Sequence, residues 1–176
     1  MTGERGAEVE RQQLTALLKG REERAYLQKF LLQTSPTVLQ ISLNIPGLPK
    51  RLDGDALAIQ KAEAALPDAG VRSIAKIALT NAAGLCLLLS CDNPAHDIKF
   101  GAISLEEKLP WGRALDLDVL TASGPLSRED LGQQPRSCLL CGGTAKACAR
   151  SGKHGLEDLR TGIAALLKLC VKHPDF

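Results

Sequence analysis

Aromatic residues are nearly missing from this chain: three Phe, one Tyr and one Trp are 3% of its 176 residues. The core must therefore be built from Leu, Ile, Val and Ala. An excess of one charge is also missing. The formal net charge is +2, too small to make duplex nucleic acid or an anionic membrane the main partner. Long apolar runs are absent too. The longest, such as GLCLLLSC at Gly84–Cys91, fall far short of the roughly 20 residues that cross a bilayer. The opening MTGERGAEVERQQ is polar and lacks the apolar centre of a signal peptide. A cytoplasmic chain is expected, with no nucleic-acid and no membrane partner.

What is present suits one globular domain over 1–176, with about the first ten residues flexible. Hydrophobic residues are 44% and charged residues 24% of the chain, which excludes disorder. Six cysteines lie at positions 86, 91, 138, 141, 148 and 170. In a cytoplasmic setting they are reduced thiols, and a tight cluster points to metal or packing before disulfide. Cys86 and Cys91, beside an apolar run, are expected to be buried small hydrophobes.

Periodicity predicts a helical region from Glu8 to Gln33, with Gly20 dividing it into two. A strand follows at Thr37–Ile45, then a PGLPKR loop at Pro46–Arg51 and an Asp-capped helix at Asp53–Leu66. Strands are expected at Ser73–Leu79, Leu85–Cys91, Ile98–Leu105 and Ala114–Thr121. Pro125–Arg136 reads as a polar loop. Ser137–Val171 reads as helical, broken at SGKHG (Ser151–Gly155). The expected fold class is α+β: a mostly antiparallel sheet with N-terminal and C-terminal helices.

Two constellations carry chemistry. In PWGRALDLDVLTASG (Pro110–Gly124), strand alternation puts Leu115, Leu117 and Val119 on one face and Asp116 and Asp118 on the other. Their Cβ atoms are then roughly 6.5–7 Å apart, so both carboxylates can reach one divalent cation or a closely spaced pair. Gly112 would let backbone approach a ligand, and Arg113 can make forked bonds to a phosphate. A D-x-D strand with its polar face in water is the more ordinary arrangement. Trp111 is either an adenine platform or, more ordinarily, a core anchor. Lys50, Arg51, Lys99, Arg113, Arg136 and Arg150 read as strand-end or loop bases.

The second constellation is C-x2-C-x6-C-x5-H: Cys138, Cys141, Cys148 and His154. It suits tetrahedral zinc. A metal-free alternative has the thiols facing a core and His154 near an anion. That reading is preferred here, because a helix over Ala145–Arg150 would hold Cys148 away from the Cys138–Cys141 pair. Well under one zinc per chain is then expected.

The stretches GRALDLDVLTASGPLSREDLGQQPRSCLLC and ACARSGKHGLEDL together resemble the apo-citrate lyase phosphoribosyl-dephospho-CoA transferases, the holo-acyl-carrier-protein synthases of citrate lyase. NPAHDIKFGAISLEE fits as well, and the IPG loop and REER (Arg21–Arg24) fit more loosely; the resemblance runs from about Leu14 to Leu167. It implies a nucleotidyltransferase-like fold. It also implies transfer of phosphoribosyl-dephospho-CoA from 2′-(5″-triphosphoribosyl)-3′-dephospho-CoA to a serine of the citrate lyase acyl-carrier subunit, with diphosphate leaving. On that reading Asp116 and Asp118 hold Mg²⁺ and are catalytic together with Arg113. Gly112, Lys99, Arg136 and His154 bind substrate. Asp97 or Asp130 is the candidate third metal carboxylate. Lys146, Arg150, Lys153 and Arg160 would steer an acidic carrier. The alternatives are a non-enzymatic zinc-binding interaction module and a nucleotidyltransferase with a different acceptor.

Overall fold

The computed structural model describes residues 2–173. Five strands form one antiparallel sheet. They are β1 (Thr37–Leu43), β2 (Ser73–Asn81), β3 (Gly84–Cys91), β4 (Leu115–Thr121) and the short β5 (Gly124–Leu126), in spatial order β2-β3-β1-β4-β5. The helices are α1 (Thr2–Leu31), α2 (Asp55–Ala64), α3 (Ala95–Lys108), α4 (Ala145–Ser151) and α5 (Leu156–Lys172). The α+β class and antiparallel sheet match the expectation.

Both faces of the sheet are covered. On one, Leu39, Ile41, Leu87, Leu89, Leu115, Leu117 and Val119 pack into the main core with Ala58 and Ala62 of α2, Ile98 and Leu105 of α3, and Ile163 and Leu167 of α5. On the other, Val38, Cys86 and Leu88 meet Leu27 and Leu31 of α1. Burial on both faces explains why β3 is almost wholly apolar. Cys86 and Cys91 are buried in it as expected, and burial pushes both thiols up to about 11.

Three expectations are corrected. Ile98–Leu105 is not a strand but lies inside α3. Its segment fits two periods: Ile98, Phe100 and Ala102 alternate, while Ile98, Ala102, Leu105 and Leu109 follow helical spacing. The helical set is the buried one, and Phe100 is exposed. Pro94 opens this helix, where a missing N–H costs nothing. Gly20 does not divide α1, which runs unbroken. Instead Gly20 is where the Asn81–Gly84 turn docks: a Cβ there would sit 2.6 Å from Asn81 Oδ1. Asn81 Nδ2 donates to Gly20 O at 3.1 Å. Finally, Ser137–Thr144 is not helical but a tight loop closed by a bridge between those two residues. The helix at Asp53–Leu66 is observed over Asp55–Ala64, with Gly54 and no side chain at its N-cap. The stretch expected to be flexible already contains the start of α1 at Thr2.

Candidate active site

The strand β4 sets the geometry. It pairs antiparallel with β1, so that Asp116 lies opposite Ser42 and Asp118 opposite Gln40. All four side chains belong to the face under α1. Both acids are half-buried. Gln40 Nε2 donates to Asp118 Oδ2 at 3.2 Å, and Gln28 of α1 donates to Gln40 Oε1 at 2.7 Å. Burial first, then the neighbouring Asp118 charge, pushes Asp116 up to about 6 against the pull of Arg136 and Lys99. Burial raises Asp118 as well. The pair is therefore a strained double negative charge that a cation would relieve.

The outer edge of β4 is open beside the acids, because β5 reaches only Val119–Thr121. Side chains close it. Leu117 N donates to Glu106 Oε1 at 3.2 Å, and Lys99 Nζ donates to Leu117 O at 3.1 Å. Arg136 Nη2 donates to Leu115 O at 2.7 Å and Arg113 O at 2.9 Å. Arg128 pairs with Glu106 at 2.6 Å. Unpaired edge groups are thus satisfied without a further strand. Lys99 is accordingly corrected: it is a buried residue of α3 holding the strand edge, not a base at a strand end.

Gly112 is explained by packing. A Cβ there would lie 2.5 Å from Glu106 O and 2.6 Å from Leu105 O, so close packing against the end of α3 already requires the glycine. Trp111 is fully buried with Lys61 Nζ 5.5 Å from its ring centroid, which excludes it as an adenine platform. Arg113 donates to Ser137 Oγ at 3.0 Å and Ser137 O at 2.7 Å.

A group of bases that the sequence did not show as one cluster reaches the acids through Arg24. Lys50 is lowered by burial and then by Arg21, Arg160 and Arg24, so these four cations crowd together. The charge of Arg24 also acts on Asp118. The Asn81–Gly84 turn assembles the group: Arg24 Nη2 donates to Ala83 O at 3.0 Å, and Gly84 lies against the Lys50 backbone. Arg24 Nε and Arg113 Nε are buried without a hydrogen-bond partner, which leaves two N–H donors for an anion. The helical i,i+3 spacing of Arg21 and Arg24 was the available signal.

A cavity of about 340 Å³ opens beside this site, lined by Asn44, Arg113, Arg136, Leu139, Ile163 and His154 among others. Arg136 belongs to both. Its size and mostly apolar wall suit a small organic ligand. One side of it is the cysteine cluster. The ligand atoms of Cys138, Cys141, Cys148 and His154 all lie within 4.8 Å of one another. The expected obstacle is overturned: Cys148 stands in α4, yet its Sγ is 3.5 Å from Cys141 Sγ. His154 Nε2 is 3.3 Å from Cys141 Sγ, so its immediate neighbour is a thiol.

An all-oxygen pair at Asp116 and Asp118 fits Mg²⁺, which commonly takes one or two carboxylates and completes its shell with water and phosphate oxygens. No third acid or histidine joins them in a cluster among the described residues. Asp130 is exposed and accepts from Ser127 N and Oγ at 2.8 Å each, and Asp97 is exposed in the first turn of α3. The expected basic docking patch is also divided. Lys146 pairs with Glu129 at 2.9 Å, Lys153 Nζ is 3.5 Å from Cys141 Sγ, and Arg160 donates to Pro46 O at 2.7 Å and Pro49 O at 3.1 Å. No helix among the described residues is long and apolar enough to cross a membrane.

The family described as apo-citrate lyase phosphoribosyl-dephospho-CoA transferase matches residues 12–169. A Streptococcus pyogenes protein named probable apo-citrate lyase phosphoribosyl-dephospho-CoA transferase is 38% identical over 165 residues, covering 88% of this chain and 85% of its own. An Escherichia coli protein named apo-citrate lyase phosphoribosyl-dephospho-CoA transferase is 38% identical over 159 residues, covering 86% of each chain.

Proposed function

The chain belongs to the apo-citrate lyase phosphoribosyl-dephospho-CoA transferase family, and from that membership we propose the reaction its site performs. It transfers phosphoribosyl-dephospho-CoA from 2′-(5″-triphosphoribosyl)-3′-dephospho-CoA to a serine of the citrate lyase acyl-carrier subunit, as a nucleotidyltransferase-type enzyme. The observation that carries this reading is the half-buried Asp116–Asp118 pair under the charges of Arg136, Lys99 and Arg24, with Arg24 also grouped with Arg21 and Arg160 around Lys50. A paired carboxylate among bases suits a polyphosphate with its counterion.

Asp116 and Asp118 would hold Mg²⁺, which supplies charge neutralisation on the polyphosphate when bound. The remaining chemistry belongs to the chain. Arg24 and Lys50 hold the two terminal phosphates, which become the leaving diphosphate. Arg136 and Arg113 hold the end nearer the cavity, where the nucleoside part of the substrate seats. The carrier serine Oγ forms a bond to the phosphorus next to the ribose, and the bond from that phosphorus to the diphosphate oxygen breaks in line. The serine proton passes to the Asp118 carboxylate. No covalent enzyme intermediate is required; positioning and electrostatics supply the rate.

Diphosphate release tests this reading. With enzyme, triphosphoribosyl-dephospho-CoA and Mg²⁺, diphosphate should appear only when the apo acyl-carrier subunit is added. It should not appear when the acceptor serine is replaced by Ala. Release without any carrier would favour a different acceptor. No release under any condition would favour a non-enzymatic module.

A further inference from the structure

We propose that Cys138, Cys141, Cys148 and His154 bind one structural zinc ion that clasps the wall of the cavity. Three thiols and an imidazole place their ligand atoms within 4.8 Å of one another. Tetrahedral zinc, with bonds of about 2.3 Å to sulfur and 2.0 Å to nitrogen, sets ligand–ligand edges near ~3.5–3.8 Å. The observed 3.5 Å between Cys141 Sγ and Cys148 Sγ and 3.3 Å between Cys141 Sγ and His154 Nε2 need only small adjustments to reach that figure. A disulfide does not explain the group, since its sulfurs would be about 2.05 Å apart.

The backbone is shaped for the purpose. Cys138 and Cys141 bracket a reversal in which Cys138 N donates to Gly143 O and Ser137 bridges to Thr144. Gly142 takes φ +69° there, a region that favours glycine. Leu140 N points at Cys138 Sγ, 3.5 Å away, the kind of N–H contact that supports a metal-bound thiolate. Gly152, at φ +58°, ends α4 and lets the chain carry His154 back to the thiols. Lys153 Nζ, 3.5 Å from Cys141 Sγ, offsets the net negative charge of three thiolates around one Zn²⁺.

Packing gives no equivalent account. Cys86, Cys91 and Cys170 sit inside the two apolar clusters, whereas Cys138 and Cys148, though buried, lie outside both. Cys141 is exposed and His154 half-buried. Four protein ligands close the coordination sphere, so the ion is structural and not catalytic. Its effect on the site is positional. Ser137, adjacent to Cys138, receives the Arg113 guanidinium, and Ala145 N donates to Arg136 O at 2.8 Å. The clasp thereby holds both arginines of the cavity.

Elemental analysis of full-length protein, purified without chelators or metal-affinity resin, tests the proposal. One zinc per chain is expected, with X-ray absorption showing three sulfurs and one nitrogen around it. Cys148→Ser should lose the metal and His154→Cys should keep it. If Cys148→Ser does not fold, the wild-type protein still decides. Removing its zinc with a strong chelator should lower Tm by roughly 5–10 °C, with recovery on adding zinc. Folded wild-type protein that holds little zinc and takes up none on titration overturns the proposal. So does stoichiometric iron, or zinc retained in a Cys141→Ser/Cys148→Ser variant.

Discussion

Replacing Asp116 by Asn should stabilise the fold and abolish transfer, and the two effects together report on the charge pair. The Asp116 carboxylate lies at about 6, raised from 3.8 by burial and by Asp118. A carboxyl raised on folding is held in its protonated form more tightly by the folded chain. Its stabilising contribution is full below the unfolded value and is lost as pH rises through about 6. Above that, the ionised pair opposes folding. A rise from 3.8 to about 6 corresponds to at most roughly 3 kcal/mol. Solvent relaxation at a half-buried site reduces this to about 1–2 kcal/mol. Asn keeps the shape, and no hydrogen bond to the Asp116 carboxylate is lost, since Gln40 donates to Asp118. Thermal unfolding of D116N in chelator-free buffer without Mg²⁺ should therefore show Tm about 3–6 °C above wild type at pH 8, and little difference at pH 4.5. Added Mg²⁺ should raise Tm for wild type and not for the variant. Equal destabilisation at both pH values would refute the argument, because it would make the carboxylate an ordinary structural acceptor.

Other perturbations separate the remaining roles. Arg24→Ala should raise KM for the triphosphoribosyl substrate by about 10–100-fold through loss of a charged donor, and leave KM for the carrier nearly unchanged; steady-state kinetics with each substrate varied checks this. Gly112→Ala puts a Cβ 2.5 Å from Glu106 O and should cost about 2–4 kcal/mol in denaturant unfolding; a neutral result would show that the end of α3 yields easily. Arg113→Lys keeps the charge but loses the fork onto Ser137, so transfer should slow at unchanged zinc content, whereas Lys performing like Arg would reduce the residue to a generic positive charge.

The acid pair was legible because strand alternation is local: a period of two places Asp116 and Asp118 together whatever surrounds them. The cysteine cluster was legible as composition but not as geometry. Its convergence depends on Gly142 and Gly152 reversing the chain, whereas a helix drawn through Ser137–Ser151 would separate the thiols. Arg21, Arg24 and Lys50 could not be read as one group from the sequence. They meet only because the Asn81–Gly84 turn seats against Gly20 and the Lys50 backbone. The misplaced strand at Ile98–Leu105 has a plain cause: a segment rich in apolar residues satisfies both periods, and only burial against the main core selects the helical one. Gly112 shows the same limit, since the neighbour that demands a glycine is the end of α3.

The intact mass of the acyl-carrier subunit is the most direct measurement of the central claim. After incubation with this protein, triphosphoribosyl-dephospho-CoA and Mg²⁺, the subunit should gain the mass of one phosphoribosyl-dephospho-CoA group, located at a serine by fragmentation. D116N and D118N proteins, folded by circular dichroism, should leave it unmodified on the same timescale, a loss on the order of a thousandfold or more in rate. An unmodified subunit with the wild-type protein, or full modification by both variants, would contradict the account.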